Sequence, residues 1–331
     1  MQFDALSGIF ALLVAAAGYF TRPVAIMNRF FLAGLLCLAF LNAGAQAVDN
    51  DTTSYGMRIM MDEVVIKAVK KGWDLDAFIH RMKTDTTFYK AFTSLKVVNY
   101  ESENKIRISD EDNEPLATLQ NKTTQTAQHG CRTVQVSNEQ VTGKYYSRDG
   151  TPRYYTAEMF QKLFFHPGTE CGVTDHIRPA QAPKGKLEKN KEQLKQLVFN
   201  PGSRISGIPF VGDKASVFEP ETAKLYDFHL KFEIYEGQEC YLFQAVPKPE
   251  YADKVVFNKL DTWFRTSDYS IMARDYALSY RTMVYDFDVV MKVRLEQVGE
   301  RLLPSSIEYR GNWHVLSQKR ERSVLHIVFD Y

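Results

Sequence analysis

The chain has 331 residues, 45% apolar, 13% aromatic and 24% charged, with 41 basic against 40 acidic side chains. That composition excludes a disordered, collagenous or disulfide-dense polypeptide, and the balanced charge lacks the basic excess of a nucleic-acid binder. The length allows one large or two modest domains, each with a real core.

Two apolar runs open the chain, 8–20 and 30–41, separated by Arg22, Pro23 and Arg29. Each is shorter than the roughly 20 apolar residues that cross a bilayer as a helix. The second run has the layout of a secretory signal: a short positive start at Met27-Asn28-Arg29, an apolar centre, and the small-residue cleavage site Ala45-Gln46-Ala47. Residues 1–47 are therefore expected to be a signal region, with Met27 as the true start and export to the periplasm or cell envelope. A membrane-anchored hairpin of two short helices is the rival reading. Cys37 does not make a lipoprotein site, because Leu36 stands where a small residue should precede an acylated cysteine.

Beyond residue 47, positions 57–96 read as helical, with Val64, Val65, Ala68 and Val69 on one face, a break at Gly72, and Phe78, Ile79, Met82, Phe88 and Phe92 at helical spacing. From 95 to 155 the pattern predicts short strands and turns, with a hairpin around Ser147-Arg148-Asp149-Gly150. A short helix is expected over 156–165, a Pro/Gly-rich loop over 166–186, and a charged helix over 187–199.

The last third carries the strongest pattern. Tyr226, Phe228, Leu230, Phe232 and Ile234 alternate with Asp227, His229, Lys231 and Glu233, the period of two of a half-buried strand. Met283, Tyr285, Phe287, Val289, Met291, Val293 and Leu295 alternate in the same way. A strand of that length reaches about 40 Å, far beyond the usual strand. Further strands are expected over 254–264, 269–280, 301–309 and 322–331, making an antiparallel meander. The predicted fold is α+β: a large curved antiparallel sheet wrapped around N-terminal helices, in one domain over 48–331 with an insertion at about 129–208.

Chemistry is sparse. No nucleophile elbow, phosphate loop or zinc-ligand spacing is present, so no catalytic residue, metal or cofactor is assigned. His166, Glu170, Asp175 and His176 flank the Pro/Gly loop, and ordinary surface side chains are the simpler reading of them. Cys131 and Cys171 share a turn-rich region and could form a disulfide in an oxidising compartment, while Cys240 lies in a strand. Methionines and aromatics on strands build cores but also line adaptable apolar pockets. On that ground Tyr226, Phe228, Phe232, Met283, Tyr285, Phe287 and Met291 are the candidate ligand-lining residues.

The order of features resembles the periplasmic outer-membrane lipoprotein carriers of LolA/LolB type, and secreted proteins of Bacteroidota that share their sheet-around-helix form. The segments that carry the resemblance are Tyr226-Asp227-Phe228-His229-Leu230, Glu239-Cys240-Tyr241-Leu242-Phe243, Asp261-Thr262-Trp263-Phe264, Leu303-Pro304-Ser305-Ser306-Ile307 and the closing strand 324–331. It covers 57–119 and 216–331 and rests on pattern, with no family ligand residue carried over. It implies a monomeric, non-enzymatic carrier whose apolar cavity shelters a lipid or lipoprotein acyl chain, with transient contact to the outer membrane or a protein partner. An integral outer-membrane β-barrel is the alternative, suggested by Leu325, Ile327, Phe329 and Tyr331 alternating up to a terminal aromatic. An envelope interaction protein is another.

Overall fold

The computed structural model describes residues 51–175, 195–203, 214–281, 285–315 and 319–331. The expected signal region 1–47, the candidate Met283, His176 and the first part of the charged helix lie outside the described residues.

In chain order the elements are β1 (Asp51–Ser54), β2 (Met57–Met61), α1 (Glu63–Lys70), α2 (Leu75–Thr84), α3 (Thr87–Ser94), β3 (Tyr100–Ser109), β4 (Pro115–Gln128) and β5 (Cys131–Gly143). Next come α4 (Tyr155–Phe160), which runs on as a π-helical turn (Gln161–Phe165), then β6 (Gly168–Cys171) and α5 (Pro220–Ala223). The meander closes the chain: β7 (Tyr226–Tyr235), β8 (Gln238–Pro247), β9 (Phe257–Arg265), β10 (Ile271–Arg281), β11 (Tyr285–Val298), β12 (Arg301–Val315) and β13 (Glu321–Asp330). Among the described residues, thirteen strands join one open sheet in the order β1-β2-β7-β8-β9-β10-β11-β12-β13-β3-β4-β5-β6. The β2–β7 pair is parallel, and β13 zips antiparallel onto β3, so the last strand joins the meander to the N-terminal hairpins.

The predicted meander is present, and Phe287, Val289, Met291 and Val293 on β11 are fully buried on one face as the alternation requires. The sequence reading missed two features. Residues 57–61 form a strand rather than the start of a helix, with Met57 and Ile59 buried and Arg58 turned out to Asp51. Asp62 ends that strand and caps α1, its carboxylate accepting from the Val65 N–H at 2.9 Å. The region 95–155 holds three long strands instead of short ones. The inner face of β4 carries Asn121, Thr123 and Gln125 beside Asn104 of β3, so no apolar alternation marks it. Asn104 donates to Asn121 and to Thr123, both at 2.9 Å, and Gln125 Nε2 donates to the Leu95 and Val98 carbonyls at 2.6 and 2.8 Å.

One continuous core fills the concave side, packed between the sheet, α1 to α4, the π-helical turn and residues 195–199. The opposite face is largely charged along the later strands, with Asp288, Lys292, Glu308 and Arg310 exposed. A membrane barrel presents an apolar outer band around a polar lumen; this sheet has the reverse polarity. No described helix is long and apolar enough to cross a membrane.

Two local devices shape the sheet beneath α4. Gly311 lies between Tyr309 and Trp313 on one face of β12, where an added Cβ would meet the Tyr309 hydroxyl at 2.1 Å, and its bareness lets Trp313 Nε1 donate to Tyr309. Glu321, buried at the start of β13, accepts from the Thr156 and Tyr155 N–H groups at 2.8 and 2.9 Å, capping α4 from a distant strand. Burial pushes the Glu321 carboxyl up, and the hydrogen bonds from Thr156 and Tyr155 only partly oppose this. A raised folded-state pKa means that stability from this group is fullest below the ordinary carboxylate range and is lost as pH rises through the folded value. Glu321→Gln turns an amide NH2 toward one of those N–H donors and is expected to cost about 1–3 kcal/mol. The gap in unfolding free energy between wild type and this variant is expected to widen from pH 7 to pH 4, as measured by urea denaturation. A narrowing gap would contradict the assignment.

Candidate functional site

Of the expected lining residues, Tyr226, Phe228, Phe232, Phe287 and Met291 share one face of the sheet but do not meet in one pocket. On β7, Tyr226 and Phe228 are fully buried, Phe228 packing 5.7 Å from Phe243, and Tyr226 donates its hydroxyl to the Phe257 carbonyl at 3.0 Å. On β11, Met291 accepts from the Tyr276 hydroxyl at 3.0 Å and Phe287 packs 5.2 Å from Trp313; Tyr285 opens the strand. Strands β8, β9 and β10 separate the two groups, a distance of about 19 Å along the sheet at the usual strand spacing. Between them the interior holds a cation. Arg274 lies over the Phe88 ring at 4.4 Å and donates to Thr262 Oγ1 at 3.0 Å, and burial pulls its guanidinium down to about 10.

The apolar face of β7 leads from this core to the surface. Phe228 and Leu230 are fully buried, Phe232 is half-buried, and Ile234 is 60% exposed, all on the same side of the strand. Around that exit stands a ring of half-buried aromatics, Trp73, Tyr241 and Tyr269, joined to Phe78 and Phe264 beneath. Local sequence sets each one. Asp62 Oδ2 accepts from the Phe232 N–H at 2.7 Å, tying the start of α1 to β7. Gly72, at φ +97°, ends α1, and the Trp73 N–H then returns to the Ala68 carbonyl at 3.0 Å. Trp73 is thereby placed against Tyr241, stacked at 4.7 Å, and donates Nε1 to the Tyr269 hydroxyl at 2.8 Å. Asp74 caps α2 immediately after, through Ala77 N. Of the sequence candidates only Phe232 belongs to this exit; Trp73, Tyr241 and Tyr269 come from three separate elements, and only the helix break at Gly72 hinted at one of them.

A second feature lies on the far side of the cover. Cys131 and Cys171 are opposite one another on β5 and β6 and form a disulfide. Their neighbours Arg132 and Glu170 pair at 2.8 Å. Cys240 is free and buried in a small cluster with Leu242, Trp263 and Met272 on the outer face of the sheet. Among the described residues no group of three or more His, Cys, Asp or Glu side chains could hold a metal ion, and His166 and Glu170 instead line a surface cleft.

No protein-family model and no curated protein sequence matches the chain. Solved structures give alignments over most of it. A DUF1329 family protein from Desulfovibrio piger aligns over 79% of this chain and 91% of its own, with 12% identity and a TM-score of 0.23. A LolA superfamily protein from Nitrosomonas europaea covers 74% and 90%, at 10% identity and TM-score 0.21. A Vibrio parahaemolyticus domain described as an outer membrane lipoprotein-sorting protein covers 70% and 85%, at 11% identity and TM-score 0.22. At these scores the likeness carries neither ligand nor activity to this chain, and its own geometry has to supply them.

Proposed function

We propose that the protein is a non-enzymatic carrier of the cell envelope that shelters an apolar ligand, a lipid or lipoprotein acyl chain, against the concave face of its sheet. One observation carries this reading: the apolar face of β7 continues without a break from the closed core through half-buried Phe232 to an exposed Ile234, and Phe232 lies 6.5 Å from Tyr241, which stacks with Trp73 and Tyr269. Ile234 extends a run of partly exposed apolar side chains, Phe232, Tyr241, Trp73 and Tyr269, and a contiguous apolar patch, unlike a single exposed residue, marks a binding surface; aromatic rims suit acyl chains because they offer wide apolar contact. The interior residues Tyr226, Phe228, Phe287 and Met291 are the surface such a chain would meet as it enters. The charged outer face of the sheet favours a carrier over a membrane barrel.

Ile234→Asp tests the exit with little risk to the fold, because the side chain is mostly in water. It is expected to weaken binding of a fluorescent fatty-acid probe by about ten-fold, the effect of a lost apolar contact plus a desolvated charge, while leaving the denaturation midpoint within experimental scatter. Unchanged probe affinity would overturn the exit.

A further inference from the structure

Residues from four segments enclose a second cleft, of about 620 Å³, around the π-helical turn. Five of its lining side chains are basic: Lys96, Arg132, Lys162, His166 and Lys195; two are acidic, Glu158 and Glu170. Glu170 is already engaged by Arg132, which is 8% exposed and also donates to the Leu163 carbonyl at 3.3 Å. Lys96 and Lys162 add positive charge to the cleft beside this pair, and Arg132 is fixed in place, with the disulfide next to it pinning β6 beside β5.

A second observation is independent of charge. Gln161 lines the same cleft, is 7% exposed, and its Oε1 has no hydrogen-bond partner. A buried amide oxygen left without a donor costs free energy comparable to a lost hydrogen bond, so a ligand that brings a hydroxyl to this position would be favoured. Cations for an anion and an orphaned acceptor for a hydroxyl together describe a phosphate carried on a polyol. The cleft also shares a wall with the interior. Gln161 and Leu163 face it, whereas Phe164 and Phe165 of the same turn are fully buried in the core. A π-helical turn is an uncommon piece of backbone that often marks a functional position.

We propose that this cleft binds the phosphate and hydroxyl groups of a glycerophosphate-type head group, the polar end of an amphiphile whose chain lies in the apolar interior. The proposal rests on the carrier reading for the chain, while the head-group site has its own residues and its own test. Lys96 and Lys162 supply charge, Arg132 a fixed donor, and Gln161 Oε1 accepts from the polyol.

The experiment uses the full chain as purified and three probes below their critical micelle concentrations: dihexanoyl phosphatidylglycerol, dihexanoylglycerol and glycerol 3-phosphate, each titrated by calorimetry against wild type and Lys96→Glu/Lys162→Glu. Lys162 is exposed and Lys96 is half-buried, so circular dichroism and a melting curve of the double variant check that it folds before its binding is read. Wild type is expected to bind the anionic lipid about ten-fold or more tighter than the neutral one, with a preference that falls as salt rises. The double variant is expected to lose that preference and keep its affinity for dihexanoylglycerol. Binding of both lipids with no preference would overturn the head-group site and leave the carrier standing. Glycerol 3-phosphate binding as tightly as the phospholipid would overturn the head-group form in favour of a free phosphate ligand. Failure of all three probes would overturn the site, and loss of dihexanoylglycerol binding in particular would count against the carrier reading.

Discussion

Phe78→Ala is expected to lower the unfolding free energy by about 3–5 kcal/mol, the usual cost of removing a buried phenyl ring. Phe78 is buried on α2 and its ring meets those of Trp73 at 5.3 Å, Tyr241 at 5.9 Å, Phe264 at 5.3 Å and Tyr269 at 5.6 Å. Among the described residues it is the ring that touches all three rim aromatics and the core beneath them, so its loss removes a transfer term and also leaves Trp73 and Tyr269 without a floor. Chemical denaturation followed by Trp fluorescence measures the first effect, and the position of the emission maximum reports the second. A loss below about 1 kcal/mol would mean that the rim collapses freely onto the vacated space, an outcome hard to reconcile with a rigid exit.

Removing the Cys131–Cys171 disulfide is the second large effect. The bridge closes a segment with a sequence separation of 40, which in the chain-entropy account corresponds to about 4 kcal/mol of restraint on the unfolded chain. The local consequence is as informative as the global one. β6 is only four residues long, is exposed throughout, and pairs with β5 alone, so it depends on the bridge for its place. With Cys131→Ser/Cys171→Ser, Glu170 is expected to leave Arg132, and hydrogen exchange should rise over 168–171 and 131–134 before it rises anywhere in the meander. Equal protection of β6 in both proteins would show that pairing alone holds it.

The legible parts of the fold are those where one face of a strand meets the core and the other meets water. Residues 226–235 and 285–298 announce themselves because Asp, Lys and Glu alternate with Phe, Met and Val. β4 is silent for the opposite reason: its inner face trades apolar contact for the amide and hydroxyl network of Asn104, Asn121 and Thr123, and a strand buried through hydrogen bonds looks polar on both sides. β2 was hidden by its neighbour, since Met57 to Met61 run straight into an amphipathic helix, and the pairings that hold them extended, antiparallel to the short β1 and parallel to β7 far along the chain, are not written in their own pattern. The disulfide partners could be named as an option from compartment and region, but their direct opposition across β5 and β6 is a matter of register.

The candidate sites follow the same division. Tyr226, Phe228, Phe287 and Met291 were recognisable as members of an interior face, but alternation gives the face and not the distance along it, which is why two strands read as one lining lie four positions apart in the sheet. The exit depends on Trp73, Tyr241 and Tyr269, gathered by two helix caps and a glycine. The basic cleft draws Lys96, Arg132, Lys162 and Lys195 from segments whose charges, taken singly, are ordinary surface charges.

The most direct test of an apolar ligand entering beside β7 uses the three tryptophans, Trp73 at the exit, Trp313 in the core and Trp263 on the outer face. Two variants each keep a single tryptophan, at 73 or at 263, with phenylalanine at the others, and are titrated with a bromine-labelled fatty acid. Saturable quenching of Trp73 near one equivalent, with Trp263 unaffected, is the expected result. Equal quenching of both, or none at Trp73, would contradict the account.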